Sequence, residues 1–306
     1  MFILKNNKRK NLKKIVLSLV VASSLVIAGE EALNQDVLYA EIAEIKAQKS
    51  ALNDKIKSLE SKLLNAKFIA RAELGFMQTQ GNTNTDIFNL DLSVKKGWSG
   101  VHLVGFSFDA QYATDDKVET KNKYLAELDY SYLLTDRLSV TYLFGFKQDK
   151  FSGYDYQLYT GPGLKYAFIK TQDHKLTLEG STLFSEDNIE DTQYDAGGNI
   201  IPYPNPNKTA VVSTKRGDVD RYASYRIKGV YGWQILSNLK FDQDLSYRSE
   251  FKDSSVFFVA SKSALSSKFN STLSASISYK IDYVNSPPQG KDDTDKTFTA
   301  NLIIDY

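Results

Sequence analysis

Thr297-Phe298-Thr299-Ala300-Asn301-Leu302-Ile303-Ile304-Asp305-Tyr306 closes the chain. Phe298, Ala300, Leu302, Ile304 and Tyr306 share one face of an extended strand, and Thr297, Thr299, Asn301 and Asp305 share the other, because successive strand side chains point to opposite sides. An apolar face, a polar face and a terminal aromatic form the pattern of a closing outer-membrane β-barrel strand, whose apolar face meets lipid. A half-buried strand of a soluble sandwich alternates in the same way, so the residues before it decide.

Alternation at period two recurs backward through twelve segments, near 68–79, 84–96, 101–114, 120–134, 137–150, 154–169, 174–185, 219–234, 237–251, 255–268, 271–284 and 296–306. In the fourth, Tyr124, Ala126, Leu128, Tyr130, Tyr132 and Leu134 oppose Lys123, Glu127, Asp129 and Ser131. In the eleventh, Leu273, Ala275, Ile277, Tyr279, Ile281 and Tyr283 oppose Ser274, Ser276, Ser278, Lys280 and Asp282. Soluble sandwiches use strands of about 5–6 residues. These are about twice that and cover the ~9–11 residues a tilted strand needs to cross a bilayer. Segment 255–268, with Val256-Phe257-Phe258-Val259 in a row, has no clean register; it is kept because eleven strands would break the loop parity.

In an even-stranded barrel with both ends in the periplasm, surface loops and short turns alternate. The compact connections around Gly97–Gly100, Leu134–Asp136, Thr171–Asp173, Leu236–Asn238 and Ser267–Asn270 then fall in the periplasm. The long connection 186–218 and the Ser286-Pro287-Pro288-Gln289-Gly290 loop fall outside. Those two loops hold Pro202, Pro204, Pro206, Pro287 and Pro288, as expected of a residue that cannot donate to a strand ladder. Pro162, inside a strand, is expected to mark a bulge or kink.

Mean hydropathy is -0.36, and no run after residue 28 approaches the ~20 apolar residues of a spanning helix. A barrel with a polar lumen reads this way. The chain has 19 Tyr, which suits aromatic girdles, and its net charge of +1 gives no reason to invoke nucleic acid. Cysteine is absent, which excludes disulfides, thiolate metal sites, a thiol nucleophile and a lipoprotein anchor. Lys5, Lys8, Arg9, Lys10, Lys13 and Lys14 precede an apolar run from Ile15 to Ala28, the form of a secretory signal cleaved before Gly29.

Between signal and barrel the period changes. Leu38, Ile42, Ile45, Lys49, Leu52, Ile56, Leu59, Leu63 and Ala66 alternate in steps of four and three, a coiled-coil seam with mostly Ile at a and Leu at d. The stripe fits a second copy or a periplasmic partner helix, with Lys49 setting register, or a single amphipathic helix packed on something else.

Gln80-Gly81-Asn82-Thr83, Asp149-Lys150-Phe151-Ser152-Gly153-Tyr154-Asp155-Tyr156 and Gly161-Pro162-Gly163-Leu164-Lys165-Tyr166 resemble landmarks of the domain-of-unknown-function 481, or YdiY-like, family, labelled as salt-induced outer-membrane proteins. The resemblance covers about residues 68–306; Gln157 and Lys165 depart from it. It implies an outer-membrane barrel and brings no catalytic residue, cofactor or ligand. By resemblance to other barrels, Phe298, Leu302, Ile304 and Tyr306 also form a recognition signal for the barrel-insertion machinery.

An outer-membrane serine hydrolase needs a histidine beside its nucleophile. The only two, His102 and His174, fall at the periplasmic ends of strands, far from the outer leaflet where such a site would act, and read as interfacial imidazoles. Phosphate-binding and dinucleotide glycine motifs are absent too. The lumen register turns Arg71, Glu73, Asp91, Lys95, Lys123, Glu127, Asp129, Lys147, Asp149, Lys175, Glu179, Arg226, Lys228, Lys240, Asp242, Asp244, Arg248, Glu250, Lys280, Asp282 and Asp305 inward. Mixed signs in a modest bore favour cross-strand salt bridges over an ion-selective ring. Glu186, Asp187, Glu190, Asp191 and Asp195 could collect a divalent ion, but read first as a solvated loop.

The expectation is therefore an all-β protein: signal peptide 1–28, periplasmic helix 29–67, and an antiparallel transmembrane β-barrel of about twelve strands over 68–306 in the outer membrane of a Gram-negative cell, surrounded by outer-membrane lipid. No metal, cofactor or enzymatic activity is expected. A narrow porin-like channel for small polar solutes leads, tied by the family label to osmotic or envelope stress. A non-conducting interaction barrel follows, and an outer-membrane hydrolase comes third.

Overall fold

The computed structural model describes residues 35–66, 68–79 and 84–306. The expected signal peptide, the Lys67 junction and the Gln80–Thr83 turn lie outside the described residues.

Helix α1 (Gln35–Ala66) runs for 32 residues without glycine or proline. Leu38, Ile42, Ile45, Leu52, Ile56 and Leu59 are exposed along it. No helix among the described residues is long and apolar enough to cross a membrane, which says nothing of strands.

Twelve antiparallel strands close into a barrel. They are β1 (Phe68–Thr79), β2 (Thr85–Trp98), β3 (His102–Asp115), β4 (Val118–Leu133), β5 (Leu138–Asp149), β6 (Tyr154–Lys170), β7 (His174–Ile189), β10 (Val219–Gln234), β11 (Leu239–Glu250), β12 (Phe257–Lys268), β13 (Leu273–Val284) and β14 (Thr294–Asp305). The long connection from β7 to β10 carries its own two-stranded ribbon, β8 (Thr192–Tyr194) with β9 (Ser213–Lys215). Closure joins the first strand to the last, so most ladder donors and acceptors find partners within the wall.

The ladders tie the inward faces into one ring. Glu73 sits opposite Asp91, Asp91 opposite Asp109, Gln111 opposite Lys123, Lys165 opposite Glu179 and Lys228 opposite Ser246. Intervening positions carry the exposed apolar side chains, among them Leu74, Phe106, Leu128, Tyr142, Phe184, Ile227 and Leu302. The sequence segments match these strands closely, and four details differ. β7 runs on to Ile189, so Glu186 and Asp187 belong to a strand and not to the long loop. β12 has a continuous register, with Phe258, Ala260 and Lys262 opposite Val284, Asp282 and Lys280. Pro162 shifts no register; the ladder to β7 skips Gly161 and Pro162, while the irregularities of β6 lie at Tyr154/Tyr156 and Ala167/Ile169. Pro162 has no amide hydrogen to offer the ladder there, and the chains approach so closely that a Cβ on Gly161 would lie 2.1 Å from the carbonyl oxygen of Thr182. The β3–β4 connection, expected at the surface, is as tight as any on the other side, with Asp116 and Lys117 at φ of 46° and 66°.

The closing seam is the shortest. β1 pairs with β14 only from Arg71 opposite Asp305 to Leu74 opposite Leu302, whereas β1 pairs with β2 along its whole length, from Phe68 to Thr79. Reciprocal bonds between Ala70 and Tyr306, 3.0 and 2.8 Å, and an edge contact of Phe68 on Tyr306 extend the clasp at the terminal end.

Candidate functional site: the charged bore

Several ion pairs join strands that are not neighbours in the ring, and such contacts can only cross the interior. Lys123 on β4 pairs with Asp282 on β13. Lys262 on β12 reaches Glu73 on β1 at 3.3 Å and Asp91 on β2 at 3.0 Å. Lys280 on β13 joins Asp91 at 3.1 Å and also pairs with Asp109 on β3. Two ammonium groups thus hold three carboxylates drawn from three consecutive strands.

A second cluster centres on Arg226 of β10. Its Nη1 donates to Glu127 of β4 at 2.8 Å and its Nη2 to Glu179 of β7 at 2.8 Å. Tyr159 donates to the same Glu127 oxygen at 2.7 Å, Lys165 pairs with Glu179 at 3.2 Å, and Lys228 pairs with Asp244 at 3.2 Å. A planar guanidinium suits this role because its fork presents fixed donors to two carboxylates at once. Nearer the loop end, the Arg248 guanidinium lies 4.9 Å from the Tyr159 ring and 4.4 Å from the Phe258 ring. It also donates to Ser185 at 3.2 Å.

Between these groups lies a cavity of about 280 Å³. Seven cationic side chains and five carboxylates line it, together with Phe108, Leu125, Tyr159 and Phe258. Six of the cations have a carboxylate partner: Lys123, Arg226, Lys228, Arg248, Lys262 and Lys280. Lys147 is the exception: among the described residues no carboxylate stands within ion-pair distance of its ammonium.

Most of the residues expected in the lumen take part in this lattice. Arg71 pairs with Glu73 at 2.9 Å and with Asp305 at 3.7 Å, and Lys240 pairs with Asp242 at 2.6 Å. Asp129 lies over Gly105, where an added Cβ would meet its Oδ1 at 2.3 Å. Asp149, although buried, is spent locally, accepting from the Phe151 amide at 3.1 Å in the turn it opens. Sequence reading missed Asp109, Lys165, Asp187 and Lys262, and the aromatic Tyr159. Asp109 and Lys165 keep the period of their neighbours and were there to be found; Lys262 was hidden by the apolar run before it.

The loop end is roofed. Tyr203, from the long connection, donates to Glu119 at 2.9 Å, accepts from Lys150 at 3.4 Å and packs 5.5 Å from the Phe151 ring. The β13–β14 loop comes from the opposite side of the ring. Lys291 pairs with Glu190 at 2.7 Å, and Pro288 lies so close to Gly153 that a Cβ there would approach it to 2.8 Å at a φ of +81°. The acidic cluster is committed to the protein's own donors. Glu186 takes Tyr156 and Arg221, Asp187 takes Gln157 and Tyr222, and Asp191 takes the Gly217 amide. Asp195 accepts from the Asn199 side chain and the Gly197 and Asn199 amides, which hold its carboxyl below the usual range.

Both histidines sit outside, at the terminal rim. His102 stacks on Trp98 at 5.3 Å with Nδ1 2.7 Å from the Tyr130 hydroxyl. His174 stacks on Trp233 at 5.8 Å with Nδ1 2.8 Å from the Tyr231 hydroxyl. Among the described residues neither contacts a serine or a carboxylate. At the loop end, Tyr225, Tyr247, Phe257 and Tyr283 form a ladder of rings at 6.0, 5.4 and 5.7 Å across β10 to β13.

A family model described as "Protein of unknown function, DUF481" matches residues 72–306. No curated relative matches the chain. Similar solved structures include the NanC porin, at 15% identity over 78% of this chain and 98% of that one, with a TM-score of 0.41. The translocator domain of the autotransporter NalP from Neisseria meningitidis is 9% identical over 86% and 97%, with a TM-score of 0.41. The COG4313 outer membrane channel from Pseudomonas putida F1 is 9% identical over 78% and 94%, with a TM-score of 0.43.

Proposed function

We propose, for a chain that belongs to the DUF481 family of proteins of unknown function, that the barrel is a narrow porin-like channel of the outer membrane, passing small polar solutes and favouring anions among them. The membrane location rests on the wall: a closed sheet satisfies its backbone without water, and its outer face carries apolar side chains between two aromatic rims. The channel reading rests on one observation, the cavity of about 280 Å³ within the bore, lined by charged side chains. A barrel serving only as a wall has no use for such a space. The preference for anions rests on Lys147, the one lining cation with no carboxylate within ion-pair distance among the described residues. In family terms, the osmotic or envelope-stress role belongs to this reading as the physiological setting.

The cross-bore pairs and the roof favour a second reading, a barrel that does not conduct at rest. Purified protein in planar bilayers separates the two. Unitary currents with a reversal potential displaced toward the anion equilibrium potential are expected in a salt gradient. Silence from the full-length protein, from Lys291→Ala and from a variant lacking residues 195–212 would leave the non-conducting barrel. The hydrolase reading predicts lipase activity that depends on His102 or His174, and none is expected.

A further inference from the structure

We infer that α1 is one strand of a parallel, in-register, two-stranded coiled coil formed with a second copy of this chain, so that the barrels work as tethered pairs. The apolar stripe is open along its length: Leu38 is 41% exposed, Ile42 40%, Ile45 58%, Leu52 53% and Ile56 44%. In heptad lettering Ile42, Lys49 and Ile56 take the a sites, and Leu38, Ile45, Leu52 and Leu59 take the d sites. A stripe this narrow and this regular fits one facing helix of the same period better than a broad surface.

The flanking positions add complementarity. In a parallel pair each g residue meets the next e residue of its partner. Among the described side chains these meetings are Glu41 with Lys46 and Gln48 with Asn53. The first is attractive and the second neutral. Lys49 pins the register, because a slip of one heptad would set its ammonium against Ile42 or Ile56 of the other chain.

Direction follows from chain continuity, and this step rests on the membrane reading of the barrel. Only Lys67 separates α1 from β1. A helix of 32 residues is about 48 Å long. An antiparallel pair would therefore start its two barrels at opposite ends of that rod, where one membrane cannot hold both. A parallel pair starts them side by side.

The chain has no cysteine, so a single introduced thiol reports on its own position. Full-length Ile42→Cys and Ile56→Cys are each expected to form a disulfide dimer under mild oxidation in membranes, because facing a sites bring the Cα atoms within bridging distance. Ala47→Cys, on the far side of the helix, is expected to stay monomeric. In Ile42→Cys, adding Lys46→Glu should abolish the dimer at low salt, and adding Glu41→Lys as well should restore it. Equal crosslinking at positions 42 and 47, no crosslinking at 42 and 56, or a crosslink only between 42 and 56 in mixed samples would each overturn the proposal. Conductance enters none of these readouts, so they stand or fall apart from the channel.

Discussion

The two faces of the barrel wall are built from the same strands under different rules. Outside, Leu128, Tyr142, Phe184, Ile227 and Leu302 need only be apolar, because any hydrocarbon surface suits an acyl chain. Inside, most of the charged groups that line the cavity have a named partner. Arg226 ties β10 to β4 and β7, and Lys262 ties β12 to β1 and β2. The outer face tolerates exchange of one apolar residue for another. The inner face is a set of commitments, and removing one partner strands the rest in a confined space.

That contrast can be broken by substitution, and the largest effect belongs inside. Arg226→Met would leave Glu127 and Glu179 facing each other without their shared cation; the expected loss is about 3–5 kcal/mol of folding stability, read by urea titration of the folded band in detergent. A loss below that of an apolar exchange on the outer face would erase the distinction. Next comes the outer face's own weakness: Leu128→Arg should cost about 2–4 kcal/mol near the bilayer midplane, whereas Leu128→Ile should cost under ~1.5 kcal/mol. Gly161→Ala drives a methyl into the Thr182 carbonyl and should cost about 1–3 kcal/mol, visible as a lower urea midpoint at unchanged slope. The smallest effect on stability is expected at Lys147→Met, since no partner is stranded. Its effect should appear in ion preference instead, as a reversal potential shifted toward the cation side in a salt gradient.

The outer face was readable in advance because its rule is local. Period-two alternation in Tyr124–Leu134 or Leu273–Tyr283 depends on nothing beyond the next residue, so strand number, order and most boundaries followed. β12 resisted because Phe257 and Phe258 are both large and aromatic yet point opposite ways: Phe257 joins the outer aromatic ladder and Phe258 takes the Arg248 guanidinium inside. Apart from pairs two residues apart, such as Arg71 with Glu73 and Lys240 with Asp242, the partners of the inner face were not readable. Lys262 meets Glu73 and Lys123 meets Asp282 across separations of 189 and 159 residues, set by barrel closure and not by any spacing in the chain. The roof was equally hidden, since Lys291 and Glu190 come from opposite sides of the ring. Pro162 misled because a missing donor is absorbed by a gap in the ladder as readily as by a bulge.

The short β1–β14 clasp also determines how the molecule comes apart. In a ring of twelve joints, rupture at any one opens the cylinder, so the lifetime of the closed form is governed by the fastest joint to fail. The joint with the fewest rungs is the one between the first and last strands. Amide hydrogens of Ala72 and Leu74 should therefore exchange with solvent deuterium sooner than those in the middle of β6 or β7. The same joint is the final one that can form during biogenesis, since its two halves are separated by the entire barrel sequence. The clasp that makes the cylinder is in this sense its clock, setting both when a newly made barrel becomes watertight and how long it stays so.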